Sequence, residues 1–309
     1  MKTIRGLRKL KRPIKGSIVT IGVFDGVHIG HRKVINKVVS AAKKLCLKSV
    51  VLTFDPHPLK VLHTSSGVPS LISLNHRIKL IKELGLDVLV ILKFTKSIAG
   101  LAPEKFVRDI LICKIGMKEI YVGKDFYFGK GASSGPEVLK NLAKKFLFKT
   151  TMVKSVKIGR NIVSSSVIRR FIINGNIEKA SRFLGRPVSV LGTVVGGSKL
   201  ARVLGYPTAN INPHHEAIPP SGVYAVRVRF KKRVLKGVLN IGSKPTFYSP
   251  KDRKTAIEVH IFDFDKRIYG RELEVLFVKK IRDEFKFKDK DALVAQIRQD
   301  EAIARKLLR

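Results

Sequence analysis

Two histidines three residues apart close the segment Gly22-Val-Phe-Asp-Gly-Val-His-Ile-Gly-His31. An apolar run ends there in a glycine-rich turn, and helical periodicity begins near Ile29. Glycines let a backbone approach a phosphate closely, and a helix start presents free N–H groups and the positive end of its dipole. In a first helical turn His28 and His31 share a face, where two imidazoles can bind and stabilise charge growing on a phosphoryl group. As a bare pattern the segment reads equally as a capped turn with incidental histidines. A second pair, Thr208 and Asn210, follows Gly205-Tyr-Pro207. On an extended chain they point the same way. A hydroxyl and an amide oxygen are hard ligands, suited to Mg²⁺ that keeps several waters and nucleotide phosphates. Taken alone, that pair reads better as a proline-initiated turn with local hydrogen bonds. In the run Thr255–Phe262, Ile257, Val259 and Ile261 face one side while Glu258 and His260 share the other.

The elements that must position these groups differ between the halves. The first half alternates short apolar runs (Ser17–Val23, Ser49–Phe54, Asp87–Leu92, Glu119–Val122) with helical periods. Val34, Ile35, Val38, Val39, Ala42 and Leu45 form one stripe. Another helix is expected from an Asn75 N-cap to Gly85, and a third carries Pro103 and Glu104 in its first turn, followed by Phe106, Ile110 and Leu111. Strands separated by helices imply βαβ units, hence an α/β domain with a parallel sheet covered on both faces. After Gly185-Arg186-Pro187 the texture becomes β-rich, with runs at Val223–Phe230, Val234–Ile241, Thr255–Phe262 and Glu272–Val278. The period-two end of the first of these suits an antiparallel strand. A final helical pattern carries Leu293, Ile297, Ile303 and Leu307. The second half is therefore expected to be an antiparallel β-barrel domain with a terminal helix.

At 309 residues the chain fits about two domains, and 44% apolar residues suffice for packed cores. Lys and Arg number 62 against 23 acidic residues, a net charge of +39. The excess is +26 in residues 1–183 (36 basic, 10 acidic) and +13 in 184–309 (26 basic, 13 acidic), so it is not a basic tail. Such a charge invites nucleic acid. The lysines, however, follow helix surfaces, and no RNP-like aromatic motif, zinc-finger spacing or basic zipper accompanies them, so no specific nucleic-acid partner is expected. No apolar run approaches a membrane span, and no small-residue cleavage site follows the basic start, which points to a cytoplasmic protein. Cys46 and Cys113, without metal spacing, are expected to be buried reduced thiols.

Gly-x-Phe-Asp-Gly-x-His-x-Gly-His resembles the signature of the HxGH nucleotidyltransferases, whose fold is Rossmann-like. A second motif of that superfamily is matched by Val163-Ser-Ser-Ser-Val-Ile-Arg169. The resemblance implies an ATP site from Gly22, Phe24, Asp25, Gly26, His28, His31, Ser164, Ser165 and Arg169, with the hydroxyls and Arg169 suited to departing pyrophosphate. Thr53-Phe-Asp-Pro-His-Pro58 and Gly123-Lys-Asp-Phe-Tyr-Phe-Gly-Lys-Gly131 are similar to two motifs of bacterial FAD synthetases. They imply flavin contacts from Phe54, Pro56, His57, Pro58, Asp125, Phe126 and Phe128. The second of these motifs departs from the family at Ala132 and Pro136.

Gly205-Tyr-Pro-Thr-Ala-Asn210 resembles the corresponding motif of riboflavin kinases. Ser221-Gly-Val-Tyr-Ala225, Gly237–Phe247, Glu258-Val-His-Ile261 and Ile281-Arg-Asp-Glu284 extend the likeness towards the C-terminus. It implies that Gly197, Arg202, Gly205, Pro207, Thr208 and Asn210 hold ATP and Mg²⁺, with Thr208 and Asn210 as the metal ligands. It also implies that Glu258 is the general base and that Tyr224, Glu258 and Arg282 face the flavin. Leu200 and Ala201 stand where that family has Arg and Gly. Kinase activity with weakened nucleotide affinity is expected, an adenylyltransferase with a silenced kinase being the alternative, and a basic nucleic-acid-binding protein the remoter one. The whole resembles a bifunctional riboflavin kinase and FMN adenylyltransferase, residues 1–183 adenylylating FMN and 184–309 phosphorylating riboflavin. The partners implied are riboflavin, FMN, FAD and ATP, on a monomer or weak homo-oligomer.

Overall fold

The computed structural model describes residues 1–10, 12–62, 68–124, 126–129, 134–197, 205–215, 217–243 and 255–309. By its packing the chain divides into two units. One is Met1–Ser70 with Leu74–Ser164; the other is Leu71–Ser73 with Ser165–Arg309.

The first unit is built on a parallel sheet of β1 (Lys2–Arg5), β2 (Ser17–Ile21), β3 (Lys48–Asp55), β4 (Val88–Lys93), β5 (Met117–Gly123) and β6 (Lys149–Val153). Their order is β1-β4-β3-β2-β5-β6. Every residue of β2 is buried, as a central parallel strand covered on both faces requires. Its helices are α1 (Ile29–Lys44), α2 (Pro58–Leu62), α3 (Leu74–Lys82), α4 (Lys96–Ala99), α5 (Pro103–Lys105, continued by a π-helical segment, Phe106–Ile112) and α6 (Pro136–Phe146). A small hairpin, β7 (Lys157–Ile158) and β8 (Asn161–Ile162), follows. The chain leaves β2 through α1 to reach β3 on one side, while β5 pairs on the other. Such a reversal opens a crevice at the carboxyl ends of the strands, where open α/β sheets bind ligands.

The expected elements are present, with local differences. α3 begins at Leu74, one residue before Asn75, so Asn75 lies inside the helix. In α1 the inner stripe is Ile35, Val38 and Ala42, while Leu45 sits at the C-cap and is 56% exposed. Cys46 and Cys113 are free thiols but exposed, not buried. Each falls where a helical segment ends, Cys46 in the left-handed region (φ 52°) and Cys113 as the cap of the π-helical segment. The edge strands β1 and β6 escape the apolar pattern because they alternate with lysine, arginine and threonine.

In the second unit α7 (Ser165–Ile173) and α8 (Ile177–Leu184) precede a closed barrel. Its strands are β9 (Ser189–Val195), β10 (Ala209–Pro213), β11 (Gly222–Phe230), β12 (Arg233–Ser243), β13 (Thr255–Ile261) and β14 (Glu272–Arg282). They close in the order β10-β13-β12-β11-β14-β9, and every pairing is antiparallel. Closure leaves no strand edge exposed. Along β11, Val223 and Ala225 pack with Val238, Phe262, Ala304 and Leu308, while Tyr224, Val226 and Val228 alternate to the other face and are fully buried.

The terminal helix (Lys290–Leu307) does not bury the stripe its apolar residues suggest. Ile303 and Leu307 are 45% and 37% exposed, and Asp300, Ala304 and Leu308 are buried. A carboxylate occupies a core position because Arg282 meets it there. Asp300 accepts from Arg282 Nε at 3.0 Å and Nη2 at 2.8 Å, and from Gln296 Nε2 at 3.0 Å.

Candidate active sites

In the first unit, the turn after β2 places Phe24 (φ 52°), Gly26 (φ 87°) and Val27 (φ 40°) in the left-handed region. For Phe and Val that conformation is costly, so the surrounding packing must enforce it. A Cβ on Gly22 would lie 3.1 Å from the Phe24 ring, and one on Gly30 would lie 3.1 Å from His28 Cε1. These glycines leave room for the two rings. Phe24, Asp25, Gly26 and His28 are all buried.

His28 caps α1, its Nδ1 accepting the backbone N–H of His31 at 3.3 Å. Neutral His28 therefore carries its proton on Nε2. The His28 and His31 rings stack with centroids 3.5 Å apart, and Phe24 meets His31 edge-on at 5.2 Å. Burial, then the electrostatic influence of the neighbouring His28 ring and of the Arg77 guanidinium, hold the His31 pKa well below the usual value near 6.5. The residue keeps some surface, but its Nδ1 is buried without a hydrogen-bond partner. His31 is thus a neutral imidazole at ordinary pH.

Beside this turn lies a cavity of about 430 Å³ lined by Gly22, Val23, Phe54, His57, Phe126 and Phe128 among others. Its volume is in the range of small-molecule pockets. Phe126 and Phe128 stack at 5.5 Å, and Phe54 meets Phe94 edge-on at 5.4 Å. Pro58 opens α2 and also lines the cavity, and His57 Nδ1 accepts the Leu59 N–H at 3.1 Å. Pro56 follows a cis peptide from Asp55. Phe94, Leu101 and Phe106 line the same walls; as isolated apolar residues they carry no motif in the sequence. Asp125 lies outside the described residues. Ser164 ends the first unit; Ser165 opens α7 in the second, and Arg169 stands one turn along that helix.

In the barrel, register brings together what the sequence separates. Asn210 of β10 pairs directly with Glu258 of β13, which pairs directly with Asn240 of β12. Directly opposed antiparallel residues share a face, so the three polar side chains form one row. In the sequence Asn240 lies within the Gly237–Phe247 likeness but is given no role there. A Cβ on Gly197 would fall against the Asn210 amide, and one on Gly242 would fall against Glu284 Oε1 and 3.3 Å from Asn240 Nδ2. A pocket of about 150 Å³ is lined by Gly197, Pro207, Thr208, Asn210, Lys266 and Arg267 among others. Gly205 (φ 85°) starts the turn into it, and Arg202, Leu200 and Ala201 lie outside the described residues. His260 Nδ1 contacts Pro207 O at 2.8 Å. A carbonyl only accepts, so His260 holds its proton on Nδ1 and ties the Pro207-Thr208 turn to β13.

Tyr224 and Arg282 are both held by protein partners. Tyr224 has no exposed surface; its hydroxyl donates to Pro220 O at 2.6 Å and its ring packs on Phe277. It braces the barrel, and burial pushes its pKa up to about 12. Arg282 ends β14 with its guanidinium committed to Asp300 and stacked 4.5 Å from the Phe285 ring.

The family model described as FAD synthetase matches residues 10–167, and that described as riboflavin kinase matches residues 184–308. The bifunctional riboflavin kinase/FMN adenylyltransferase of Buchnera aphidicola subsp. Schizaphis graminum is 38% identical over 309 residues, covering 99% of this chain and 98% of its own. The chain belongs to this bifunctional family. The Escherichia coli K12 member is 35% identical over 307 residues, covering 99% of this chain and 97% of its own. The crystal structure of a macrolide-efflux protein from Streptococcus pneumoniae has the same fold, with TM-score 0.86, 31% identity and 99% of each chain covered. Among the described residues here, no helix is long and apolar enough to cross a membrane.

A family of this kind uses ATP, FMN and FAD as substrates and products. Among the described residues no cluster of His, Cys, Asp or Glu could hold a metal ion. The donor set that fits Mg²⁺ is of another type, the Thr208 hydroxyl and the Asn210 amide oxygen, with the Glu258 carboxylate opposite Asn210 in the row.

Proposed function

We propose that the chain makes FAD from riboflavin in two ATP-dependent steps, with the kinase in residues 184–309 and the adenylyltransferase in residues 1–183. In the first step Glu258 takes the proton of the ribityl 5′-hydroxyl as that oxygen attacks the γ-phosphorus of ATP, giving FMN and ADP. Thr208 and Asn210 would hold Mg²⁺, which when bound would neutralise charge on the nucleotide phosphates. Arg202, Gly205 and Pro207 belong to the ATP loop, and Gly197 leaves room over the Asn210 amide.

In the second step an oxygen of the FMN phosphate attacks the α-phosphorus of a second ATP, and pyrophosphate leaves. Little covalent chemistry is asked of the protein, so positioning and charge stabilisation carry the rate. The Nε2–H of His28 donates to the reacting phosphate, neutral His31 supports the His28 ring, and Ser164, Ser165 and Arg169 receive the pyrophosphate. Phe54, His57, Phe126 and Phe128 hold the isoalloxazine.

One observation carries the reading of the first unit. Gly22 and Val23 belong both to the histidine turn and to the aromatic cavity wall, so a planar acceptor and the phosphate-handling groups meet at one place. The test is a time course of the purified chain with riboflavin, ATP and Mg²⁺, the flavins separated by chromatography. FMN followed by FAD is expected. FAD from supplied FMN but no product from riboflavin would remove the kinase half of the proposal, and no flavin product from either would remove both.

A further inference from the structure

Arg77 belongs to α3, outside every motif of the two reactions, yet it is 97% buried at the foot of the histidine turn, with a relative exposure of 3%. Its Nη1 donates to Thr53 Oγ1 at 3.2 Å and to Phe54 O at 3.0 Å. Thr53 Oγ1 in turn donates to Val23 O at 3.0 Å. The nearby carboxylates of Asp25 and Asp55 act on the guanidinium as countercharges against its burial. Its Nε is buried without a hydrogen-bond partner. Burying a cation and orphaning one of its donors is unfavourable, and a packing role at this site would be met by an apolar side chain.

The chain of bonds gives the charge another use. Val23 and Phe54 both line the aromatic cavity, one at the start of the histidine turn and one at the end of β3. We propose that Arg77 is a positioning residue for adenylyl transfer, locking Thr53, Phe54 and Val23 so that the flavin-facing wall and the phosphate-handling turn keep one register. The guanidinium is suited to this because its planar fork fixes the direction of each donor, which a lysine ammonium does not. A second consequence is electrostatic. Besides burial, the groups acting on His31 are the His28 ring, from the same turn, and the Arg77 guanidinium, from α3. The guanidinium thus helps keep His31 neutral.

This proposal rests on the assignment of FMN adenylylation to the first unit, so the wild-type chain must first convert FMN to FAD. Arg77→Met, Arg77→Lys and Thr53→Val are then compared in the full-length protein, with riboflavin phosphorylation in the same preparations as the check on folding. Arg77→Met is expected to raise KM for FMN about tenfold or more and to lower kcat, since small misplacements of reacting groups are costly. It also removes a positive charge beside His31, so the acid limb of the adenylylation pH profile moves to higher pH. Arg77→Lys keeps the charge, leaving the acid limb in place while KM still rises. Thr53→Val, which removes one oxygen, moves KM in the same direction by less. Wild-type KM, kcat and acid limb in Arg77→Met would overturn the proposal. If Arg77→Met loses both activities through misfolding, Thr53→Val decides, and unchanged FMN kinetics in that variant would overturn it equally.

Discussion

His28 and His31 are joined twice, by a hydrogen bond of 3.3 Å from the His31 backbone N–H to His28 Nδ1 and by a ring stack at 3.5 Å. The first bond makes His28 a helix cap as well as an Nε2 donor, and substitution can separate the two roles. Asn is a good cap and its side-chain oxygen replaces Nδ1, but it has nothing where Nε2 stands. His28→Asn should keep the thermal midpoint near wild type while FAD formation from FMN falls by about 10²–10³-fold, the scale for losing a donor to a reacting phosphate. His28→Ala should lose the activity and about 1 kcal/mol of stability as well. Riboflavin phosphorylation measured on both variants should be unchanged.

The neutral state of His31 has a pH signature. Its folded pKa lies well below 6.5, the value expected in the unfolded chain. Below pH ~6.5 the unfolded chain takes up a proton that the folded chain does not, so stability falls on acidification through that window and is fully present above it. Denaturant midpoints at pH about 7.5 and 5.5 should show a larger acid loss in wild type than in His31→Gln. An identical loss in both would mean that His31 is not the group responsible.

Glu258 sits between Asn210 and Asn240 in the polar row of the barrel. Glu258→Gln keeps the size and hydrogen-bonding reach but removes the base. FMN formation should fall about 10²–10⁴-fold, the usual contribution of general-base catalysis, while supplied FMN is still adenylylated at the wild-type rate.

Gly197→Ala places a methyl group against the Asn210 amide. If Asn210 holds Mg²⁺, displacing its oxygen should raise the Mg²⁺ concentration for half-maximal FMN formation by about tenfold, the scale of losing support around one ligand. Chelation with EDTA should stop the wild-type reaction, and excess Mg²⁺ should restore it.

The Asp300–Arg282 pair ties the terminal helix to β14. Asp300→Ala leaves a partly buried guanidinium without its carboxylate and should cost about 3 kcal/mol by chemical denaturation.

Much of this was legible in the sequence because backbone rules force it. Gly22 to His31 reads as a strand, a tight turn and a helix start, and the structure has β2, a left-handed turn and α1 in those places. The barrel strands around Val223 and Glu258 follow from period-two alternation. What was not legible depends on partners distant in sequence. The inner face of the terminal helix includes Asp300, which no hydropathy pattern places inside, because Arg282 and Gln296 make its burial tolerable. The bond of Tyr224 to Pro220 O and its packing on Phe277 are likewise set by the fold and carry no sequence pattern. Asn240 enters the polar row only through strand register. Arg77 lies on a helix without a motif, and its reach to Thr53 and Phe54 depends on how α3 packs on β3.

The central claim is that one chain carries two separate active sites acting in sequence, and complementation between two variants tests it most directly. His28→Ala and Glu258→Gln, each incubated alone with riboflavin, ATP and Mg²⁺, should give FMN without FAD and almost no product, respectively. Mixed, they should produce FAD, because FMN released by the first variant is adenylylated by the second. A mixture that makes FMN but never FAD, from two folded proteins, would contradict the two-site account.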